Sequence, residues 1–124
     1  MNERVKFIEE FKKRTKLFAI RIVKMYQALP KTGEAQVIGK QLLRAGTSVA
    51  ANYRAVCRAR TKAEFSAKIG IVVEEADEAI FWIELLSDCE IVKPEKLKEL
   101  LHEANEILAI VSSARKTSIQ KTKN

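Results

Sequence analysis

A row of cationic side chains is the feature of this sequence whose spacing best suggests chemistry. Its first four members fall on one face of a predicted helix, within an arc of about 80° at 100° per residue. The row, here called the basic stripe, comprises Lys40, Arg44, Arg54, Arg58, Arg60 and Lys62. Like charges along one helix repel one another by a few tenths of a kcal/mol per adjacent pair. A polyanion, an acidic neighbouring helix, or solvent and salt would offset this repulsion.

Charge is divided unevenly along the chain. Residues 1–62 carry 15 Lys and Arg against 4 Asp and Glu, residues 63–106 carry 4 against 12, and residues 107–124 carry 4 against none. The first segment could therefore attract a nucleic acid, or the acidic segment of a neighbouring copy. No aromatic residue is interleaved with the basic stripe, so a nucleic acid would be held mainly by its phosphates, with little reading of base sequence.

The residue types that carry catalysis or bind metals do not form a recognisable site. The one Glu-x-x-His pair, Glu99 and His102, points away from the apolar stripe of its helix, and a di-iron bundle needs two such pairs. The glycines form no phosphate-binding loop. Cys57 and Cys89 should be free thiols, because antiparallel helices would place them roughly 35 Å apart and a disulfide needs α-carbons within about 7 Å. We expect no enzymatic activity, no metal and no cofactor.

Four predicted helices position these residues. Apolar side chains recur at steps of three and four residues. They predict helices at about 5–29, 34–59, 62–88 and 94–115. Helices of this length joined by short breaks fold back on one another. The whole chain is therefore predicted to be one domain, an all-α, up-and-down antiparallel four-helix bundle.

Local signals define the ends of these helices. Pro30 ends the first helix, whose apolar stripe begins at Phe7. Thr61 and Glu64 have the spacing of a capping box at the start of the third helix. Residues 116–124 are polar and basic and are predicted to form a frayed tail.

The second and third helices carry signs of close packing. Gly46 lies inside a helix, where glycine costs about 1 kcal/mol relative to alanine, so another helix should approach there. The third helix is apolar on two faces, which predicts a subunit interface with Trp82 as an aromatic anchor. The alternative is that Trp82 caps the bundle core. The residues assigned to packing or to this interface are Gly46, Ser48, Asn52, Tyr53, Glu74, Glu78 and Trp82.

Several blocks of this sequence resemble one bacterial family, the four-helix-bundle proteins encoded within intervening sequences of 23S ribosomal RNA. The blocks are residues 43–53, 58–59, 62–65, 74–78 and 81–86. The resemblance implies a bundle assembled as a ring-like homopentamer. It supplies no activity and no catalytic residues. A related branch, the accessory proteins of diversity-generating retroelements, binds nucleic acid and a reverse transcriptase, which would be a partner here if the gene lies in a retroelement.

These observations lead to two functional hypotheses. In the first, a non-enzymatic homo-oligomer binds RNA or another nucleic acid through its backbone charge, using the basic stripe. In the second, the protein is an interaction scaffold whose basic stripe pairs with acidic helices of neighbouring subunits. The chain has neither a signal-peptide core nor an apolar run of about 20 residues, so we expect a cytoplasmic protein without membrane contact.

Overall fold

Four α-helices make up the described part of the chain. The computed structural model describes residues 2–123, and the side chains of residues 2–120. The helices are α1 (Glu3–Ala28), α2 (Gly33–Val56), α3 (Lys62–Asp88) and α4 (Pro94–Lys123). Because residues 2–123 contain no strand, the prediction of an all-α chain of four helices is confirmed.

Side-chain caps begin the first three helices. The side chains of Asn2 and Thr32 each accept a hydrogen bond from the backbone N–H three residues later. Thr61 Oγ1 accepts from the N–H of Glu64 at 3.0 Å, as the capping box predicts. The Glu64 carboxylate reaches back to the N–H of Arg60, at 3.3 Å, rather than to that of Thr61. This contact ties the α2–α3 connection to the first turn of α3.

The end of α3 holds a residue in the left-handed conformation. Glu90 has a φ of 58°. The N–H of Ile91 donates to the carbonyl of Leu86, and the N–H of Glu90 donates to that of Ser87, both at 3.0 Å. These are the two bonds of a Schellman motif, whose left-handed position is usually glycine because an L side chain is crowded there.

Replacement of Glu90 by glycine should raise the free energy of unfolding by about 0.5–1 kcal/mol. Relief of the left-handed strain, about 1–2 kcal/mol, exceeds the entropic cost of glycine. Glu99→Gly is the control, because Glu99 is exposed inside α4, where glycine should cost about 1 kcal/mol. Urea unfolding measures both changes. A loss of stability in both variants would contradict the strain argument.

Each helix packs against the next one in the chain, and α1 also meets α4 at fewer points. Arg14 joins this last pair, donating to both carboxylate oxygens of Glu103 at 2.8 and 2.7 Å and to Glu106 at 2.7 Å. These hydrogen bonds raise the pKa of Arg14, and Arg14 in turn lowers the pKa of Glu106. The contact therefore links the two helices that meet at the fewest points.

The core contains apolar residues from all four helices. Phe18, Ile22, Leu42, Val49, Ile69, Val72, Ile83, Leu86, Leu97, Ile107 and Val111 are among its fully buried members. Phe7 was predicted to begin the apolar stripe of α1, but this residue is 51% exposed. Its ring lies parallel to that of the buried Phe11, with centroids 5.9 Å apart. The core of α1 therefore begins one turn later than the apolar pattern predicts.

The C-terminal part of α4 corrects a second prediction. Residues 116–124 were predicted to be a frayed tail, but α4 continues to Lys123, and Asn124 lies outside the described residues. Ser66 Oγ donates to Ser118 Oγ at 2.8 Å, so the last turns of α4 lie beside the first turns of α3. The neighbouring helix therefore contacts α4 at Ser118, within a stretch of mostly polar residues.

Candidate nucleic-acid interface

One end of the bundle concentrates positive charge. α1 and α3 begin there, and α2 and α4 end there. Residues 2–6, 54–64 and 114–120 meet at this end and contain eight Lys and Arg against two Glu. The cations are Arg4, Lys6, Arg54, Arg58, Arg60, Lys62, Arg115 and Lys116. We call this region the basic end.

Side-chain charge determines the electrostatic potential here. Because two helices start and two finish at the basic end, their dipoles largely cancel. The opposite end, formed by residues 28–34 and 88–96, carries three Lys against four Asp and Glu. The bundle is therefore polarised along its length, with the excess of cations at one end.

The structure brings four of the six basic-stripe residues together. Arg54 lies in the last turn of α2, Arg58 and Arg60 lie in the α2–α3 connection, and Lys62 begins α3. All four are exposed, and none forms an ion pair within residues 2–120. Lys40 is also exposed, but it lies about 21 Å from Arg54 along α2, at 1.5 Å per residue. Lys40 therefore does not belong to the basic end.

Arg44 takes part in a different contact. Its guanidinium is paired with Glu75, at 3.1 Å, and with Glu78, both on α3 of the same chain. The Arg44 charge is therefore largely neutralised across the α2–α3 groove. Glu78, assigned to packing or an interface from the sequence, makes its contact inside the protomer. Arg44 is only half exposed and is poorly placed to hold an external anion.

Glu64, one of the two carboxylates of the basic end, pairs with a cation outside that region. Lys68 lies 2.9 Å from it, and Lys68 together with the N–H of Arg60 holds the pKa of Glu64 below its usual range. Glu64 therefore stays ionised at neutral pH, with its charge directed to Lys68. The side-chain charges of Arg54, Arg58, Arg60 and Lys62 are left without a carboxylate partner in the described residues.

The small and polar residues of α2 serve packing. A Cβ added to Gly46 would lie 2.7 Å from Cγ1 of Ile22, so α1 and α2 approach closely there. Asn52 donates to the carbonyl and the hydroxyl of Ser48, at 2.9 and 2.7 Å. Tyr53 is buried edge-on against Phe11, with ring centroids 4.8 Å apart, and burial raises its pKa. These contacts fix the last turns of α2, where Arg54 lies.

An apolar face of α3 remains exposed in the protomer. Phe81 is 54% and Ile71 is 43% exposed, and Glu74 lies beside them. Trp82 is half-buried against the core and touches Phe81 edge-on, with centroids 4.9 Å apart. The Trp82 Nε1 atom is buried without a hydrogen-bond acceptor among the described residues. Trp82 thus contributes to the core, and Phe81 is the more accessible aromatic residue.

A second exposed face, on α1, was not singled out from the sequence. Leu17 is 57% and Ile20 is 43% exposed, and the exposed Lys13, Lys16 and Lys24 surround them. Their spacing of three, four, seven and eleven residues places all five on one side of a helix. We call this surface the α1 face, and the surface of Ile71, Glu74, Glu78, Phe81 and Trp82 the α3 face.

Metal-ligating side chains and thiols do not form a cluster or a disulfide among the described residues. No group of three or more His, Cys, Asp or Glu side chains there converges to hold a metal ion. Cys57 and Cys89 are both exposed free thiols, as predicted. None of the helices, as far as they are described, is long and apolar enough to cross a membrane.

The comparisons with known proteins agree with the sequence resemblance. The model of the 23S rRNA-intervening sequence protein family matches residues 9–113. A solved structure from Bacteroides thetaiotaomicron VPI-5482, a protein of unknown function from the S23 ribosomal protein family, is similar, with a TM-score of 0.79 and 35% identity. The similarity covers 85% of this chain and 97% of the other. No curated protein matches the chain.

Proposed function

Because the chain belongs to the family of 23S rRNA-intervening sequence proteins, we propose that it is a non-enzymatic bundle that assembles from identical copies and binds RNA through the sugar-phosphate backbone. The observation that carries this proposal is the basic end. Arg54, Arg58, Arg60 and Lys62 are exposed there without an ion pair in the described residues. Neutralising phosphates with these cations releases condensed counterions, which makes binding favourable and dependent on salt.

The contacts proposed for RNA exclude two members of the basic stripe. Arg44 is already paired with Glu75 and Glu78 of its own chain. Lys40 lies too far along α2 to contact the same few phosphates. The proposed contacts are therefore Arg54, Arg58, Arg60 and Lys62. A patch of this size suits a short single strand, whose flexible backbone can follow the end of the bundle.

The proposed assembly uses the α1 face and the α3 face. Both are apolar at the centre, but lysines flank the α1 face. The α3 face carries Glu74, which forms no ion pair in the described residues, and Glu78, which is paired with Arg44 of the same chain. Opposite charge favours contact of the α1 face of one copy with the α3 face of the next. Such a contact joins two different surfaces, so it closes into a ring when its rotation permits. The family resemblance implies five copies.

A ring built from lateral faces would leave both ends of every bundle accessible. Each copy would have the same orientation along the ring axis, so all basic ends would lie on one side of the assembly. Several weak contacts to one RNA strand would then act together, because the second binding event becomes intramolecular. The proposed assembly therefore strengthens the proposed RNA binding without requiring new contacts in the protomer.

RNA binding across a salt series tests the proposal. Labelled single-stranded fragments of 23S rRNA should bind with an affinity that falls linearly with salt on logarithmic axes. Arg54→Gln combined with Arg58→Gln should weaken binding about tenfold and reduce the salt slope by about 1.4, since each phosphate contact on a single strand contributes about 0.7. Fluorescence anisotropy measures both quantities.

Lys31→Gln combined with Lys93→Gln is the matched control. It removes the same charge from the opposite end, where both lysines are exposed. This variant should bind RNA as the wild type does. An equal loss of RNA affinity in both double variants would mean that binding depends on net charge alone, not on the position of the cations. If the wild-type assembly binds no RNA at low salt, the interaction-scaffold hypothesis is favoured instead.

A further inference from the structure

A cleft lies within the basic end, between the connection that joins α2 to α3 and the last turns of α4. Its volume is about 870 Å³. Residues from the first turn of α1, the α2–α3 connection, the start of α3 and the end of α4 line it. Clefts that hold small ligands typically measure about 300–1,000 Å³, so the space suits one such molecule or one unit of a polymer.

Three cations from separate segments line this cleft. Arg4 belongs to α1, Arg60 to the α2–α3 connection and Lys62 to α3. None of the three side chains forms an ion pair within residues 2–120. Two carboxylates are adjacent to them in sequence. Glu3 forms no ion pair within residues 2–120, and Glu64 is directed to Lys68 and to the Arg60 backbone. An anion bound in the cleft would offset the mutual repulsion of the three cations, and a phosphate accepts hydrogen bonds from several cations at once.

The other walls of the cleft are apolar and hydroxylic. Phe65 is half-buried and forms part of the lining together with Ala59, Ala114 and Thr117. The basic stripe has no aromatic residue of its own, and the start of α3 places Phe65 beside Arg60 and Lys62. An aromatic surface next to a phosphate-binding group suits a nucleobase, which stacks with a contribution of about 1–3 kcal/mol.

We propose that this cleft binds a nucleoside phosphate, with the phosphate held by Arg4, Arg60 and Lys62 and the base against Phe65. The inference rests on the proposed RNA binding and adds a pocket for one nucleotide to it. The ligand has two sources, a free mononucleotide or a nucleotide unit of an RNA strand. Both present the same phosphate, sugar and base to the cleft.

Titration of the full-length protein with AMP, followed by calorimetry, tests the cleft directly. AMP should bind saturably, and adenosine and inorganic phosphate should each bind at least about tenfold more weakly, because each lacks one of the two recognised groups. Arg4→Gln should raise the dissociation constant for AMP about tenfold, as expected for the loss of a charge-assisted contact. Phe65→Leu should reduce the preference for AMP over phosphate.

Lys6→Gln is the matched control for Arg4→Gln. Lys6 is an exposed cation on the same helix and does not line the cleft, so the variant should bind AMP within about twofold of wild type. Equal weakening by both substitutions would overturn the proposal. Circular dichroism checks that the Phe65→Leu variant is folded. Arg4 is exposed in the first turn of α1, so Arg4→Gln leaves the core intact.

Competition with RNA distinguishes the two sources and separates this proposal from the proposed function. Displacement of AMP by a short single-stranded RNA would assign the cleft to a nucleotide of the strand. If RNA and AMP bind independently, the cleft takes a free nucleotide and the assignment of Arg60 and Lys62 to RNA is wrong. If RNA binds with the predicted salt dependence but AMP does not bind at millimolar concentration, the cleft inference is wrong and the proposed function stands. If AMP binds but RNA does not, the cleft inference stands and the proposed RNA binding is wrong.

Discussion

Replacement of Gly46 by valine is expected to lower the free energy of unfolding by about 3 kcal/mol, the upper part of the usual range for overpacking a core. Even the first added carbon would lie 2.7 and 2.9 Å from Cγ1 and Cγ2 of Ile22. Ile22 is fully buried and branched at Cβ, so it cannot turn aside without losing its own packing. α1 and α2 would have to separate. Urea denaturation measures the change.

The alanine variants of Gly46 and Gly70 form the matched comparison. Both would gain about 1 kcal/mol of helix propensity. A Cβ on Gly70 would lie 3.3 Å from Nε of Arg115, an exposed and flexible side chain that can move. Gly70→Ala should therefore stabilise the protein, and Gly46→Ala should not. The argument fails if both substitutions stabilise equally.

Substitution of Ile22 tests whether contact with this residue causes the loss of stability expected for substitutions of Gly46. Ile22→Ala alone should cost about 2–5 kcal/mol, because it leaves a cavity in the core. In that background Gly46→Ala should become stabilising, since the added methyl group enters the vacated space. This positive coupling identifies the contact between the two residues. Independent, additive losses would place the clash elsewhere.

Replacement of Phe81 by lysine is expected to disperse the proposed assembly. The change removes an aromatic side chain from the centre of the α3 face and places a cation opposite the lysines of the α1 face. Loss of such an anchor costs about 2 kcal/mol or more per interface, about a 30-fold rise in the dissociation constant. Every interface of a ring is affected at once. Light scattering at micromolar concentration should find the mass of one 14.1 kDa chain.

Leu17→Lys tests whether the second surface is the α1 face. This variant should also be monomeric, because the proposed contact needs one face from each copy. An equimolar mixture of the Phe81 and Leu17 variants should form dimers, since each variant retains the face that the other has lost. No species larger than a dimer should form. If the Leu17 variant assembles normally, the α1 face is not the partner surface.

Val5→Lys is the control for both interface variants. Val5 is 41% exposed in the first turn of α1, about 12 Å along the helix from Lys13, the nearest member of the α1 face, at 1.5 Å per residue. The substitution likewise replaces an exposed apolar side chain by a cation. It should leave the assembly unchanged. Dispersal by this variant too would show that added charge, rather than the loss of a particular contact, separates the copies.

Features that depend on neighbours within four residues could be predicted from the sequence. The periodicity of apolar residues identified four helices, and the Thr61 cap lies where its spacing with Glu64 placed it. The burial of Leu42, Val49 and Tyr53 on one side of α2 follows from the same 3.6-residue repeat. The family was recognisable from the order and spacing of the sequence blocks, and the family match over residues 9–113 confirms it.

Contacts between side chains of different helices depend on the register between those helices, which the sequence does not show. The sequence by itself determined that arginines lie on the outer side of α2, but it could not show that Arg44 reaches Glu75 and Glu78 across the α2–α3 groove. Nor could it show that Arg4 lines the same cleft as Arg60, more than fifty positions later. Helical periodicity sets the direction of a side chain around its own axis. The level at which two helices meet depends on packing such as that of Gly46 against Ile22, which only the tertiary structure contains.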